Sequence, residues 1–231
     1  MSQTCRLARW LVAGPVMVAC LCPALALAQD PAPAKPAPAA ADADVRERRY
    51  EGFFLHLAAG PALVRTKSTR LGNTLTMRGL GFGFDVAAGW FIRENLAVMG
   101  QVANAGATDP VVREAATTEH TDGFSIGLWG LGAGLAYYLM PAHVQLSGTV
   151  GVSSIYLSDS AGTGNYPEGR TDIGFGASFA VGKQWWVSPR WALGASARIS
   201  WLRLDNTVTP GTPPAEWTGA SFALALAASF G

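Results

Sequence analysis

The chain has 231 residues, of which 49% are apolar and only 14% charged, and its formal net charge is +1. A balance so close to neutral argues against a general nucleic-acid binder, which needs a cationic face. All three cysteines, Cys5, Cys20 and Cys22, lie near the N-terminus, so the rest of the chain has no thiol with which to form a disulfide or hold a metal.

Arg6 and Arg9 begin the chain with positive charge, Trp10 to Leu27 carries no charge, and Ala26-Leu27-Ala28 has the small-x-small form of a cleavage site. Residues 1–28 are therefore predicted to be a cleaved secretory signal. Pro15 and Pro23 interrupt the apolar stretch and disfavour an uncleaved helical anchor. Met17-Val18-Ala19-Cys20 loosely matches a lipobox and leaves a lipoprotein anchor as the alternative. Cleavage after Ala28 lowers Lys+Arg from 17 to 15 against 16 Asp+Glu, a mature charge near −1. Residues 29–49 are rich in Pro, Ala and Asp, too poor in apolar bulk to pack, and are predicted to be an extended periplasmic tether.

The folded body is expected over residues 50–231. Alternating apolar positions predict eight strands, from Gly52 to Val64, Met77 to Ile92, Leu96 to Thr108, Gly123 to Leu139, Val144 to Ser158, Thr171 to Val187, Trp191 to Asn206 and Trp217 to Phe230. The last is the clearest, with Phe222, Leu224, Leu226 and Phe230 on one face and Ser221, Ala223, Ala225, Ala227 and Ser229 on the other. Such strands meet two different environments. Connections after the second, fourth and sixth strands are short, at Arg93-Glu94-Asn95, Met140-Pro141-Ala142-His143 and Ser188-Pro189-Arg190. Those after the first, third, fifth and seventh are long and polar, carrying Lys67-Ser68-Thr69-Arg70, Glu119-His120-Thr121-Asp122, Gly162-Thr163-Gly164-Asn165 and Pro210-Gly211-Thr212-Pro213. Short turns at one end, long loops at the other and an even strand number predict an all-β fold, an eight-stranded antiparallel up-and-down transmembrane β-barrel.

Aromatic residues fit two interfacial girdles. Phe53, Trp90, Tyr137, Tyr138, Trp185, Trp186, Trp191 and Phe230 fall towards the short turns, and Tyr156, Trp201 and Trp217 towards the long loops. The competing reading makes them core residues of a soluble barrel. Gly123 to Ala142 is uncharged over 20 residues and is long enough for a membrane helix, but its strand-like flanks argue otherwise, since a lone helix would leave the other strands with open edges in lipid.

The signal, the strand count, the loop alternation and the ending Ser229-Phe230-Gly231 together resemble the small outer-membrane barrels of the OmpA/OmpX type and the wider outer-membrane β-barrel domain family. The resemblance covers residues 50–231 and rests on topology rather than on a motif. It implies a monomer in the bacterial outer membrane, and it implies that Phe230 is the terminal aromatic residue read by the barrel-assembly machinery. Gly231 departs from that pattern.

An eight-stranded lumen is just wide enough to be filled by side chains, which argues against a wide porin channel. Inward positions are often glycine, as at Gly79, Gly81, Gly83, Gly174, Gly176 and Gly194, a pattern that relieves crowding in a strongly curved wall or leaves narrow gaps. Asp85 shares the inward face with Gly81 and Gly83, Arg198 shares one with Ser196 and Ser200, and both lie seven residues from the short-turn rim. They are predicted to form an ion pair, with Gln101 and His56 completing a polar belt that is either a plug or a gate. No cofactor, metal or catalytic site is expected: His143 lies in a turn, His120 in an acidic loop, and His56 has no serine near it in sequence. The role expected of the barrel is structural, surface-interacting or narrow permeation; a small-solute channel is the alternative, and a lipid-modifying enzyme the less favoured one. Finally, Arg65, Lys67, Arg70 and Arg78 occur with no acidic residue between the first and last of them. In the first long loop they either contact lipopolysaccharide phosphates or form a solvated basic loop.

Overall fold

The computed structural model describes residues 52–114, 117–159, 169–206 and 215–231. The predicted signal and tether, and the loops around Gly162 and Pro210, lie outside the described residues. Eleven strands occur among the described residues: β1 (Phe53–Arg70), β2 (Asn73–Arg93), β3 (Leu96–Thr108), β4 (Val111–Glu114), β5 (Thr117–His120), β6 (Phe124–Leu139), β7 (Val144–Asp159), β8 (Gly169–Arg170), β9 (Gly174–Trp186), β10 (Trp191–Asn206) and β11 (Ala215–Phe230). The eight long strands, β1, β2, β3, β6, β7, β9, β10 and β11, each pair antiparallel with their neighbours. β1 pairs with β2 on one side and with β11 on the other, from Leu55↔Phe230 to Thr69↔Glu216. That closure satisfies the wall's backbone groups without water, the condition for crossing hydrocarbon. The segment from Gly123 to Ala142 is strand β6 and its turn, and no helix long and apolar enough to span a membrane exists among the described residues.

The period-two pattern sorts residues cleanly. In β2, Phe82, Phe84, Val86 and Trp90 are exposed outwards while Gly83, Asp85, Ala87 and Phe91 are buried inside. Exposed apolar side chains of this density, which water would not tolerate on one surface, are accounted for by lipid. The lumen is filled in layers. Towards the short turns, Phe54, Phe91, Met99, Ala136 and Tyr138 form an apolar cluster. Towards the long loops, a larger one contains Val64, Met77, Phe124, Ile126, Leu128, Ile155, Leu202 and Trp217. Between them lies a polar layer.

Three expectations are corrected. The first long loop is instead a hairpin: β1 and β2 continue to Arg70 and from Asn73, and the turn is only Leu71-Gly72, with φ of 49° and 83°. Two consecutive left-handed residues make the two-residue turn whose twist matches that of the strands. The second long connection also contains a hairpin, β4–β5, and β4 extends the sheet by pairing Val111↔Arg78 to Glu114↔Leu75. The predicted sixth strand begins at Gly174 rather than Thr171, because Thr171 replaces a rung of the ladder. Its hydroxyl accepts the Ile155 N–H at 2.9 Å while its own N–H donates to the Ile155 carbonyl at 2.9 Å.

The girdle is smaller than expected. Phe53, Trp90, Tyr137, Trp185 and Trp191 are exposed near the short turns, and Tyr156 and Trp201 near the other end. Tyr138 and Trp217, 1% and 5% exposed, are lumen residues, and Trp186 packs against the lower apolar cluster.

Candidate functional site

Five strands bring side chains into one hydrogen-bonded tier at mid-lumen. Arg198 on β10 and Asp85 on β2 are 2.9 Å apart, Nη1 to Oδ2, with side chains 6% and 8% exposed. Arg198 Nη2 also donates to the backbone carbonyls of Phe84 and Asn104, at 3.4 Å each. Gln101 on β3 donates Nε2–H to Asp85 Oδ1 at 3.3 Å and accepts from Thr149 on β7 at 2.9 Å and Ser178 on β9 at 3.1 Å. A charge removed from water needs both an opposite charge and hydrogen bonds. This tier provides both.

His56 belongs to a second tier. Its Nδ1 lies 2.9 Å from Ser229 Oγ, and Gln184 donates to Ser229 at 2.9 Å and to Gln145 at 2.6 Å. A small cavity bordered by His56, Asp85, Gln101, Gln145 and Ser196 separates the two tiers. The serine absent near His56 in sequence thus arrives from β11, 173 residues away. Asp85, the carboxylate that would orient such a pair in a hydrolase, is engaged with Arg198 and Gln101 instead. A second cavity lies on the long-loop side of the ion pair, bordered by Arg198, Ser153, Ser178, Ser200 and Leu202.

Thr149, Ser178, Gln145 and Gln184 carry no motif in the sequence, and Ser229 is marked there only by its face of the last strand. Alternation carries their signal: Gln145 stands between outward Val144 and Leu146, and Thr149 between Gly148 and exposed Val150.

The inward glycines line tight walls. A Cβ at Gly81 would fall on the carbonyl oxygen of Gly106, and one at Gly134 on that of Gly148. Glycine at these two positions permits close approach of neighbouring strands.

At the outer end, Arg65 and Lys67 on β1 and Arg78 on β2 point outward from strands, and Arg70 stands at the hairpin's tip. Arg65 is directly opposite Arg78. At the other end Phe230 faces outward and its ring lies 5.3 Å from that of Trp191.

A closed antiparallel barrel with an apolar exterior, aromatic girdles and a packed polar and apolar interior defines a small integral β-barrel of the outer membrane. The chain matches the outer membrane protein beta-barrel domain family over residues 21–230 and belongs to it. It is accordingly a protein of the bacterial outer membrane. Among solved structures it is similar to Neisserial surface protein A, at 16% identity and a TM-score of 0.48, covering 78% of this chain and 96% of that one. It is similar also to OprG from Pseudomonas aeruginosa (11%, TM-score 0.45, covering 79% and 98%) and to the outer membrane protein AlkL (17%, TM-score 0.47, covering 88% and 96%). No curated protein matches the chain.

Proposed function

We propose that this protein is a closed-lumen barrel that acts at the cell surface as a structural and surface-interacting element, with residues 1–28 removed on secretion and residues 29–49 tethering it in the periplasm. The observation that carries this reading is the filling of the lumen at three levels, by an apolar cluster at each end and the Asp85–Arg198 tier between them. Apolar side chains buried towards both ends take up space that a hydrated solute would need to pass. Refolded protein in planar bilayers is expected to give no conductance above the lipid baseline. Sustained conductance of the wild type would overturn the reading.

The second reading, narrow permeation gated by the ion pair, is favoured by one observation. Cavities with polar borders lie on both sides of the Asp85–Arg198 tier, and Gln101 borders both. Under that reading Asp85→Asn alone opens a measurable conductance. A lipid-modifying activity is tested on the same sample by phospholipid hydrolysis, for which none is expected.

A further inference from the structure

The outward face of β10, β11, β1, β2 and β4 is ordered in rows that the strand register defines. One row is apolar: Ile199, Phe222, Leu63 and Leu80 stand side by side, all exposed. The next row outward contains Trp201, Ala220, Arg65 and Arg78. The row beyond holds Arg203, Lys67 and Arg113, with Thr218 and Thr76 between them.

The two arginines of the middle row present the informative problem. Like charges directly opposite each other on paired strands repel, and Arg65 and Arg78 have no carboxylate partner among the described residues. Arg203, one row out, has its own: Glu216 at 2.9 Å. Among the described residues Arg65 and Arg78 thus form an uncompensated cationic pair at the boundary where hydrocarbon-facing side chains give way to polar ones. Alanine at position 220 leaves room beside Arg65, and a groove bordered by Leu63, Leu80, Ile199 and Phe222 runs from the arginines towards the membrane centre. A polar groove bordered by Lys67, Arg113, Thr76 and Thr118 continues from the same two arginines in the opposite direction. An anion with hydrocarbon chains on one side and polar groups on the other fits this sequence of surfaces. The outer leaflet's own lipid has that construction.

We infer that this face docks one lipopolysaccharide molecule, with a lipid A phosphate held between Arg65 and Arg78. Its acyl chains lie over Phe222, Leu63 and Leu80, and its inner phosphorylated sugars meet Lys67 and Arg113. Charge-assisted, forked contacts from two guanidinium groups suit a phosphate. The inference deepens the surface-interaction reading and rests on it for orientation. It is independent of whether the lumen conducts.

The test uses the refolded chain in zwitterionic micelles, titrated with purified lipopolysaccharide and followed by its thermal unfolding midpoint. Wild type is expected to gain stability on titration. Arg65→Gln with Arg78→Gln is expected to bind about tenfold or more weakly, the scale of losing charged hydrogen bonds, and Arg203→Gln to bind within about twofold of wild type. Without lipid the double variant should unfold at a higher temperature than wild type, because the repulsion is relieved. With lipid the order should reverse. Phosphatase-treated lipopolysaccharide should bind wild type as weakly as the intact lipid binds the double variant, and inorganic phosphate should not compete. Equal binding by wild type and double variant, equal weakening by Arg203→Gln, or displacement by inorganic phosphate would each overturn the proposal. A double variant that fails to fold without lipid would overturn it too, since the repulsion argument requires the opposite.

Discussion

Asp85 and Arg198 were legible as a pair because parity gave each its inward face and residue counting from the short turns gave each its depth. Their hydrogen-bond partners were not. Whether Thr149 and Ser178 reach Gln101 depends on how far successive strands are sheared past each other, and shear is set by the closed barrel rather than by any one strand. The buried aromatics were readable in principle, since in Tyr137-Tyr138 and in Trp185-Trp186 adjacent residues must face opposite ways. Removing either member of the ion pair leaves a buried charge unpaired, which in comparable pairs costs roughly 3 to 5 kcal/mol. Urea unfolding from lipid vesicles is expected to show losses of about that scale for Asp85→Asn and for Arg198→Gln, softened by Gln101. The double substitution recovers part of the loss; strictly additive losses would mean that the two side chains do not stabilise each other. The glycines give a sharper contrast. Gly81→Ala places its methyl on the Gly106 carbonyl oxygen and is expected to cost about 1–3 kcal/mol. Gly100→Ala, with a single contact at 4.0 Å, is expected to be nearly neutral in the same assay.

At the scale of elements, the sequence reading ended β1 at Val64 and began β2 at Met77 because hydrophobic alternation stops there. Alternation in sequence reports apolar against polar residues, and past Val64 it fades on β1 because the outward residues are cationic, as at Lys67, while the buried inward ones, Thr66 and Ser68, are polar too. The strands continue regardless: Lys67 and Ser68 pair with Thr76 and Leu75 on one side and with Thr218 and Trp217 on the other. β1 has 18 residues and β2 has 21, well above the roughly 9–11 that a tilted strand needs to cross the bilayer. The excess forms a wall with the outer ends of β10 and β11, extended on the other side by β4 and β5. An epitope inserted between Leu71 and Gly72 is therefore expected to be labelled on intact cells, and one at Asn95 or Ala142 only after the outer membrane is opened. The reverse pattern would invert the barrel's orientation.

At the scale of the whole molecule, closure follows from the even number of long strands and from the matching alternation of the first and last. Strand number, direction and the lipid-facing side were all readable from period and turn length. The division of the lumen into apolar, polar and apolar layers was not, because each layer draws residues from strands far apart in sequence, such as Met77 and Trp217 in the upper cluster. A barrel with lipid outside and a closed interior gives its two faces different access to reagents, and the absence of cysteine after Cys22 allows this to be tested by single cysteine substitutions. In proteoliposomes, Leu63→Cys and Phe179→Cys are expected to react with a lipophilic maleimide, Gly72→Cys with a charged, membrane-impermeant one, and Ser147→Cys and Ser178→Cys with neither. Rapid modification of Ser147→Cys or Ser178→Cys by the charged reagent would show an open aqueous lumen and rule out a closed interior.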